Sequence, residues 1–503
     1  MKIDARVDLL VVGGGITGAA VLHEASLRGL KCLLVERDDF ASGTSSWSSK
    51  LIHGGMRYLK SGQWRMTLES VRERERLLVE RPGLVEAQPF LMPVFAGQRP
   101  GPTALAAAFW IADRMAGRRT ARRVAAVEAL AIEPLLAADR LRAAIDFRDG
   151  VVDDARLVLR LVFDAVGRGA GALNHVEATL VEEDGRIVGA RLVDRLEGGA
   201  AQEVRADVTV HAAGVHAGAA PGAPLLRPLR GSHLVFPHAA LPLRRALAWL
   251  HPHDRRPVFA HPWEGAVVVG TTDIDHPVAD VPATISRAEC DYLVDALRAV
   301  FPRLAIDVSK ALATFSGLRA IVVAPGEEHR PPSAMGRDSA LWVRPGLVGI
   351  TGGKLTTHHA TALEVLREVA KQGVAVAAAA DAQRSQAAAA TTRMQGRLGD
   401  RGAAWVAARP ADEQRPLLGT PYTLAELRWS MRFEQVHRLD DLLMRRVRLG
   451  LVAPNGGAAL LPMLEAPCRD DLGWSAARWA DEAARYRENW ASRHAPPADN
   501  RRP

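Results

Sequence analysis

Three glycines near the amino terminus have the spacing of a site for nucleotide phosphates. Gly13, Gly15 and Gly18 follow an apolar run at residues 9–12, and residues 16–28 have the composition of a helix. In a G-x-G-x-x-G arrangement the first glycine permits a tight turn, the second lets the backbone approach a pyrophosphate, and the third lets the helix pack on the strand. The helix amino terminus adds unpaired N–H groups and a partial positive charge. The spacing predicts a dinucleotide site, with a glycine-rich turn that binds no ligand as the alternative.

An acidic residue completes this fingerprint. Gly29 is placed to end the helix, a second apolar run follows at residues 30–35, and Glu36 comes directly after that run. A carboxylate at the end of the second strand accepts hydrogen bonds from the hydroxyls of the adenosine ribose and disfavours a 2′-phosphate. The strand, helix, strand and acid together predict that the chain binds an ADP moiety, and they argue against NADP.

A segment rich in serine, threonine and glycine follows the acid. Thr44, Ser45 and Ser46 offer hydroxyl groups to phosphate oxygens. Gly54 and Gly55 let the backbone approach a flat ring closely. We therefore predict that this segment contacts the same ligand, although an ordinary Ser/Gly loop has a similar composition.

Composition and charge limit the classes of ligand that the chain is expected to bind. Its 503 residues, 48% of them hydrophobic, predict two or three domains, and its net charge of +8 favours a phosphorylated substrate or an anionic membrane surface. No signature of nucleic-acid binding accompanies that charge. No secretory signal and no run of about 18 apolar residues is found. Cys32, Cys290 and Cys468 match no metal-ligand spacing, so we expect no metal site and a reduced, cytoplasmic protein.

Several motifs occur in a fixed order along the chain. They are ASGTSSWSSKLIHGGMRYL at residues 41–59, RGSHLV at 230–235, FAHPW at 259–263, GTTD at 270–273, SGLR at 316–319, SAMGRD at 333–338 and GGKLTT at 352–357. Together they resemble the signature of the FAD-dependent glycerol-3-phosphate dehydrogenases of the aerobic, quinone-linked type. The resemblance is strong over residues 7–365 and weak over residues 420–490.

The resemblance implies an α/β fold. It consists of a Rossmann-like FAD-binding domain of the amino-acid-oxidase-like flavoprotein type, an antiparallel-sheet substrate domain and a helical carboxy-terminal domain. The predicted boundaries are 1–225 for the first part of the FAD-binding domain, with an inserted helical segment near 60–145, then 226–345 for the substrate domain, 346–375 for the return of the FAD-binding domain, 376–415 for an alanine-rich linker and 416–503 for the helical domain.

FAD is the cofactor that the resemblance implies. Val176 is expected to hold the adenine through its backbone, and the Ala213-Gly214 pair to pack on the flavin nucleotide. The predicted cofactor-binding residues are Gly13, Gly15, Ile16, Thr17, Gly18, Glu36, Arg37, Thr44, Ser45, Ser46, Leu51, His53, Gly54, Gly55, Val176, Ala213, Gly214, Gly352, Gly353, Lys354 and Leu355.

The implied reaction is the oxidation of sn-glycerol 3-phosphate to dihydroxyacetone phosphate, with a hydride passing to N5 of the flavin and the electrons passing on to a membrane quinone. The predicted substrate-binding residues are Arg57, Tyr58, Arg319, Lys354 and Thr356. Arginine binds a phosphate bidentately, whereas lysine acts as a point charge. An imidazole suits removal of the hydroxyl proton at neutral pH, so the base is predicted to be His53 or His233, with Arg319 beside it in the catalytic set.

Two departures from the family pattern keep other functions open. His211 stands where many members have Asn-Ala-x-Gly, and His358-His359 replaces a common Tyr-Arg pair. The second departure leaves another polyol phosphate, such as erythritol phosphate, open as the substrate. An amine substrate and O₂ as the acceptor are alternatives that keep the flavin. A flavin-binding protein without turnover is a third hypothesis, although such a protein has no need of the predicted cationic set. NAD-dependent dehydrogenation conflicts with the flavin motifs.

Hydrophobic periodicity indicates which elements position these residues. Helices are predicted at residues 61–80, 154–164 and 424–451, strands at 171–182 and 204–214, an antiparallel sheet within 226–345, and frayed residues at 496–503. Gly352-Gly353 is expected to open a helix that closes over the flavin.

Residues 104–123 predict a helix with two alternative surroundings. Leu105, Phe109 and Trp110 precede four arginines, a pattern that suits a helix docked on an anionic membrane. The same pattern suits a helix packed on the core with solvated arginines. A peripheral position on the inner face of the cell membrane follows from the first alternative, and a homodimer is a further expectation.

Overall fold

The computed structural model describes residues 4–54, 64–118, 120–324, 326, 335, 339–379 and 392–497. Within this part of the chain the strands form two sheets. In chain order they are β1 (Arg6–Val12), β2 (Cys32–Val35), β3 (Leu51–Ile52), β4 (Val85–Phe95), β5 (Arg122–Ala125), β6 (Leu141–Val152), β7 (Gly171–Leu173), β8 (Val176–Glu183), β9 (Arg186–Asp194), β10 (Gln202–His211), β11 (Leu226–Pro237), β12 (Ala246–Leu250), β13 (Pro257–Trp263), β14 (Ala266–Gly270), β15 (Ile274–Asp275), β16 (Ala313–Val322), β17 (Ala340–Arg344) and β18 (Leu347–Thr351).

The helices surround these sheets. They are α1 (Ile16–Ser26), α2 (Trp64–Glu80), α3 (Pro102–Ala116), α4 (Ala126–Ile132), α5 (Asp154–Val166), α6 (Arg287–Val300), α7 (His358–Lys371), α8 (Arg393–Ala407), α9 (Leu424–Phe433), α10 (Leu449–Val452), α11 (Leu461–Leu472) and α12 (Ala476–Arg493). Short 3₁₀ segments lie at Thr44–Ser46 and Gly214–Ala219, and a π-helical segment lies at Asp441–Arg446.

The first sheet has a parallel centre. Its order is β17-β18-β10-β1-β2-β7, and the β8–β9 hairpin joins through β9 to β10. The pairs β18–β10, β10–β1, β1–β2 and β2–β7 are all parallel. Their apolar residues are buried on both faces, against α1, α5 and α7 on one side and the hairpin on the other. The carboxyl ends of these strands therefore meet at one edge, where open α/β sheets bind their ligands.

The second sheet is formed mostly of antiparallel strands. Its order is β15-β11-β14-β13-β12-β4-β6-β3, with β16 paired to β11 and β5 to β6. Helices α4 and α6 pack against one hydrophobic cluster of the sheet, and α3 packs on β4 and β6 through Leu105 and Phe109. Short β3, which lies within the motif at residues 41–59, pairs with β6. This pairing joins the motif at residues 41–59 to the second sheet, which is the candidate substrate sheet.

The carboxy-terminal helices share a core with the second sheet. One hydrophobic cluster contains Phe315 and Trp263 of the sheet together with Leu427, Leu443 and Tyr486 of the helical region. Because this core is continuous, the helical region is packed on the rest of the protein rather than tethered beside it.

The structure confirms the predicted fold class and corrects several predicted elements. The segment near 60–145 is not purely helical, because β4, β5 and the start of β6 lie in it and belong to the substrate sheet. The helix predicted at 104–123 ends at Ala116, because Gly117 has a left-handed φ of 65° that caps it. Arg122 and Arg123 consequently lie on a strand.

The remaining corrections concern single boundaries. The alanine-rich linker predicted at 376–415 contains α8, which begins with a capping box at Thr392. The strand predicted at 171–182 is interrupted at His175, which has a positive φ of 54°. The helix predicted to open at Gly352-Gly353 begins at His358, because both glycines have positive φ values of 72° and 81° that a helix excludes. The domain boundaries themselves stay predictions.

The cysteines, the helices and the carboxy terminus bear on three further predictions. All three cysteines are free and buried, and Cys32 lies in the core strand β2 as expected. Among the described residues, no helix combines the length and the apolar character needed to cross a membrane. The frayed segment predicted at 496–503 falls almost entirely outside the described residues.

Three buried histidines make the stability of this fold depend on pH. Burial lowers the pKa of His211 and of His261 to about 4, and that of His358 to about 3, from an ordinary value of 6.5. Each histidine is therefore neutral in the fold, whereas the unfolded chain binds protons as the pH falls below 6.5. The contribution of the three histidines to the free energy of unfolding is fully present above pH 6.5. It is lost as the pH falls towards their pKa values in the folded protein, by about 2 kcal/mol for each histidine at about pH 5.

The free energy of unfolding should therefore be lower at about pH 5 than at about pH 7. His358→Gln removes one of the titrating groups, so the difference between the two pH values should shrink by about 2 kcal/mol in the variant. Urea unfolding at both pH values measures this difference. The same pH dependence in the variant and the parent protein would show that His358 does not contribute.

Candidate active site

The glycine turn after β1 has the shape of a phosphate cradle. Gly13 has a φ of 111°, and a Cβ there would lie 2.5 Å from the carbonyl oxygen of Ala212. A Cβ at Gly18 would overlap the carbonyl oxygen of Gly13. Gly15 precedes α1 and has no side chain to cap it, so the N–H groups of the first helical turn face the glycine turn, with that of Ile16 bound to Ser45 Oγ. This is the geometry that accepts a pyrophosphate.

Glu36 lies beside this turn, at the end of β2. Its carboxylate accepts the N–H of Gly14 at 2.6 Å and that of Asp38 at 2.9 Å, and burial raises its pKa. Each carboxylate oxygen keeps a lone pair for a ribose hydroxyl. Arg37 contacts His216, with Nη2 and Nε2 3.2 Å apart.

The adenine-side residues lie beside Glu36. The N–H of Val176 donates to the carbonyl oxygen of Glu36 at 2.8 Å, and the adenine contact expected of the Val176 backbone stays a prediction. Ala213 and Gly214 lie where predicted, at the end of β10, and the Thr351 hydroxyl donates to the carbonyl of Gly214 at 2.7 Å. This bond ties the ends of β10 and β18 together at the carboxyl edge of the sheet.

The hydroxyl-rich segment is bound to the glycine turn and to the substrate sheet. Ser45 Oγ accepts the N–H of Ile16 at 2.9 Å, and the Thr44 hydroxyl donates to the carbonyl oxygen of Leu318 at 2.5 Å. The hydroxyl of Ser46 is buried and has no hydrogen-bond partner among the described residues. An unpartnered buried hydroxyl is costly, and at this position it is consistent with a segment shaped around a bound group.

The ring-side residues are brought together from three parts of the chain. Ile16, Ile52 and Leu355 pack around one hydrophobic cluster, which places the start of α1, strand β3 and the return segment side by side. Leu51 lies next to Ile52 in β3, and His53 after it is half-buried. Thr17 is half-buried in the first turn of α1. These placements agree with the predicted flavin contacts without testing them.

An ion pair that the sequence did not reveal holds Gly54. Asp149 accepts the N–H of Gly54 at 3.1 Å and pairs with Arg74 Nη1 at 2.8 Å. A Cβ at Gly54 would lie 2.8 Å from the same Arg74 atom. Asp149 and Arg74 are 75 positions apart, so no local pattern could have joined them. Gly55, Arg57 and Tyr58, which follow Gly54, lie outside the described residues.

His233 is buried on the inner face of the substrate sheet. Its Nε2 lies 2.9 Å from Ser49 Oγ, and its ring stacks on Phe315 with centroids 4.5 Å apart. A Cβ at Gly270, its neighbour on β14, would overlap the ring. Burial and the charge of Lys50 keep its pKa well below the usual value, so the imidazole is neutral. Its Nδ1 has no hydrogen-bond partner among the described residues.

Arg319 lies on the same face of the sheet as His233. Cross-strand register pairs His233 with Phe315 and Leu229 with Arg319, so the alternation of β11 and β16 puts both side chains on one side. Arg319 Nη1 pairs with buried Asp273 at 2.9 Å. A Cβ at Gly231 would lie 2.5 Å from Arg319 Nη2, so the absence of a side chain there makes room for the guanidinium.

Asp273 is shared between two arginines. Arg256 Nη2 lies 2.5 Å from the second oxygen of Asp273, and Arg319 Nη2 also donates to Thr271 at 3.3 Å. Two guanidinium groups therefore meet one carboxylate at this end of the sheet. A guanidinium can bind a phosphate bidentately.

The return segment carries the last predicted residues. Gly352 and Gly353 form a positive-φ turn, Lys354 is half-buried, and Thr356 is buried ahead of α7. His359, at the position where the family commonly has arginine, lies 3.6 Å from a carboxylate oxygen of Glu24 and 3.6 Å from one of Glu73. The family departure therefore affects contacts between α7, α1 and α2, rather than the described cationic groups of the substrate sheet.

In the part of the chain that the structure describes, one group of possible metal ligands occurs elsewhere. Asp39, His175 and Asp441 have ligand atoms within 4.8 Å of one another. Arg446 Nη1 pairs with Asp39 at 2.6 Å, and Arg445 Nη2 pairs with Asp441 at 2.7 Å. Because arginines already neutralise both carboxylates, the group is an ion-pair network between the first sheet and the helical region.

The residues at the carboxyl edge of the first sheet fit a bound FAD. The glycine turn would hold the pyrophosphate, Glu36 the ribose, and the segment from Thr44 to Gly54 the flavin end, where His233 and Arg319 approach from the second sheet. These groups converge on one edge of the sheet, so the whole site accommodates a dinucleotide of this kind.

Comparison with known proteins agrees with this assignment. Residues 8–367 match the family described as FAD dependent oxidoreductase, and residues 366–479 match the C-terminal domain of alpha-glycerophosphate oxidase. An aerobic glycerol-3-phosphate dehydrogenase of Staphylococcus haemolyticus is 33% identical over 377 residues, 73% of this chain and 67% of that protein. One from Staphylococcus aureus is 32% identical over 377 residues, with the same coverage.

Solved structures show the same fold. The glycerol-3-phosphate dehydrogenase of Bacillus halodurans, solved in complex with FAD, has a TM-score of 0.75 at 23% identity and covers 97% of this chain and 95% of that one. An L-alpha-glycerophosphate oxidase of Mycoplasma pneumoniae with FAD bound has a TM-score of 0.57 at 20% identity, over 73% of this chain and 95% of that one.

Proposed function

The chain belongs to the family of FAD-dependent glycerol-3-phosphate dehydrogenases, and from that premise we propose that it oxidises sn-glycerol 3-phosphate to dihydroxyacetone phosphate. The observation that carries the proposal is the shared face of the substrate sheet. There a neutral buried imidazole, His233, and a cationic group, Arg319, lie on the side bound to the flavin segment through Ser49. A base and a phosphate-binding charge are the two features that a phosphorylated alcohol requires.

The residues have separate tasks in this proposal. Arg319 and Lys354 hold the phosphate and Thr356 contacts the substrate, whereas the roles predicted for Arg57 and Tyr58 fall outside the described residues. Bound FAD supplies the acceptor for the two electrons of the alcohol carbon. The hydroxyl proton goes to a histidine, because a neutral imidazole accepts a proton at physiological pH. His233 is neutral through burial, and His53 is half-buried beside Gly54, so either one suits this task.

Replacing each histidine with glutamine identifies the base. His233→Gln keeps a polar group for Ser49 but cannot take up the proton, so we expect flavin reduction at saturating substrate to slow by about a hundredfold. His53→Gln should slow it less than tenfold if His53 orients the substrate. Stopped-flow absorbance under anaerobic conditions measures both rates. If neither variant slows reduction tenfold, the base is another residue.

Anaerobic titration tests the substrate. sn-Glycerol 3-phosphate should bleach the flavin absorbance of the purified protein, whereas glycerol without phosphate should not. Erythritol phosphate, which the departure at His358-His359 leaves open, and small amines are the alternatives. Bleaching by one of these and not by glycerol 3-phosphate would reassign the substrate. If none of these compounds bleaches the flavin absorbance, the result would favour a flavin-binding protein without turnover.

We further propose that a membrane quinone accepts the electrons. The family resemblance and the positive net charge support this acceptor, since the charge favours an anionic membrane surface. Oxygen is the second candidate, as a C-terminal match to an alpha-glycerophosphate oxidase domain favours it. Reoxidation of the reduced protein by a ubiquinone analogue and by O₂, compared in stopped flow, separates the two.

A peripheral position on the inner face of the cell membrane is part of the same proposal. Leu105 and Phe109 of α3 are packed in the core, but Trp110 on the same helix is 55% exposed and lies under the Arg114 guanidinium. An exposed tryptophan with nearby arginines suits the interface of an anionic membrane. Sedimentation with anionic vesicles but not with neutral ones is the expected result. The homodimer stays a prediction that light scattering can test.

A further inference from the structure

The helical carboxy-terminal region contacts the flavin segment, which comprises residues 44–54. Arg448, at the start of α10, has a side chain that is fully buried. Its Nη2 donates to the carbonyl oxygen of Ser46 at 2.7 Å and to Asp154 Oδ1 at 2.7 Å. Arg448 and Ser46 are 402 positions apart. The contact therefore depends on the tertiary packing of the helical region.

A second buried cation meets the same carbonyl group. Lys50 Nζ donates to the carbonyl oxygen of Ser46 and pairs with Asp154 at 2.8 Å. Asp154 also accepts the N–H and the hydroxyl of Ser48, at 3.0 and 2.7 Å. Two cations and one carboxylate thus fix the backbone of residues 46–48. Asp153, which lies 3.5 Å from Arg448 Nε, supplies the second negative charge.

Two hydrogen bonds that flank Ser46 depend on this fixed backbone. On one side of Ser46, Ser45 Oγ holds the N–H of Ile16 at the start of α1. On the other side, Ser49 Oγ holds the imidazole of His233. Ser45 and Ser49, which make these two hydrogen bonds, lie one and three positions from Ser46. A shift of the backbone at Ser46 would therefore move the phosphate cradle and the predicted base together.

A further contact from the helical region supports the same segment. His494, which follows α12, stacks on the indole of Trp47 with ring centroids 5.1 Å apart. The opposite side of the segment is closed by the substrate sheet, since a Cβ at Gly317 would lie 2.5 Å from the carbonyl oxygen of Trp47. The segment is therefore held between the helical region and the sheet.

We infer that Arg448 is a positioning residue of the FAD site, and that the carboxy-terminal helical region takes part in cofactor binding by fixing the backbone of residues 46–49. The basis is the convergence of Arg448 and Lys50 on one peptide carbonyl within the flavin segment. A buried carboxylate that loses a partner is strongly destabilised. Removal of Arg448 leaves Asp153 and Asp154 with less compensating charge, and the segment relaxes.

Arg448→Met tests this inference. The variant should bind FAD at least about tenfold more weakly, and the visible circular dichroism of the bound flavin should change, because the peptide near the ring is released. Arg448→Gln should show the same effect to a smaller degree. Arg448→Lys keeps a cation against Asp154 but lacks the planar fork that reaches two acceptors, so it should restore affinity in part.

Arg428→Met is the matched control. Arg428 lies in the same helical region, and its guanidinium pairs with buried Asp471 at 2.7 Å and with Glu413 at 2.8 Å, far along the chain from the flavin segment. This variant should lower the melting temperature and leave FAD affinity and the dichroism unchanged. Wild-type affinity and dichroism in a folded Arg448→Met or Arg448→Gln protein would overturn the inference, as would an equal loss of FAD in Arg428→Met. Neither measurement uses the substrate, so the result is independent of the proposed reaction.

Discussion

Gly18→Ala should yield a protein that does not retain FAD. Gly18 lies where α1 passes over the glycine turn, and a Cβ there would overlap the carbonyl oxygen of Gly13. The helix would have to move away from β1, and its amino-terminal N–H groups would leave the position of the pyrophosphate. We expect FAD affinity to fall by at least about a thousandfold, or about 4 kcal/mol.

Gly43→Ala is the control for this substitution. Gly43 lies in the same part of the site, but it has an ordinary φ of −80° and no atom within 4 Å of a Cβ built there. That variant should bind FAD as the parent protein does. Flavin content after gel filtration and the dissociation constant from fluorescence titration measure both variants. Full flavin content in Gly18→Ala would mean that the helix can shift without releasing the phosphates, and the cradle argument would fail.

Arg319→Met should lower kcat/KM for glycerol 3-phosphate by about a hundredfold, which corresponds to about 3 kcal/mol. The substitution removes a guanidinium whose place beside His233 is fixed by Asp273, Thr271 and the missing side chain of Gly231. Because the phosphate is remote from the reacting carbon, the loss should fall mainly on KM. Arg319→Lys should recover part of it, as a point charge without bidentate geometry.

Arg227→Met provides the comparison on the same sheet. Arg227 lies on β11 and pairs with Asp275, whose side chain is 55% exposed, so its loss removes a surface ion pair of small value. Its kcat/KM should stay within about twofold of the parent protein. Steady-state kinetics with a dye acceptor gives both values. An unchanged KM in Arg319→Met would move the phosphate site to the other predicted cations.

The amino-acid sequence alone predicted the parts of the site that depend on short stretches of chain. The turn at Gly13, Gly15 and Gly18 and the acid at Glu36 are separated by one helix and one strand, and the periodicity of those elements places them at one sheet edge. The family motifs added FAD and the residues of the substrate sheet. The helices at 61–80 and 154–164 were also close to their observed bounds, because an amphipathic pattern is a local property.

Other features were decided by the tertiary structure. The segment at 85–152 contributes strands to the substrate sheet because β4 pairs with β6. A connection that contains two helices separates these strands, so no local sequence pattern specifies their pairing. Asp149 with Arg74, Asp273 with Arg319, and Asp154 with Arg448 are pairs between distant positions. A charged residue is placed by the partner that neutralises it when both are buried, and that partner is selected by the packing of whole elements. Sequence spacing therefore fixes the cofactor turn, whereas the orientation of the cations and of the flavin segment arises only once the two sheets and the helical region have packed together.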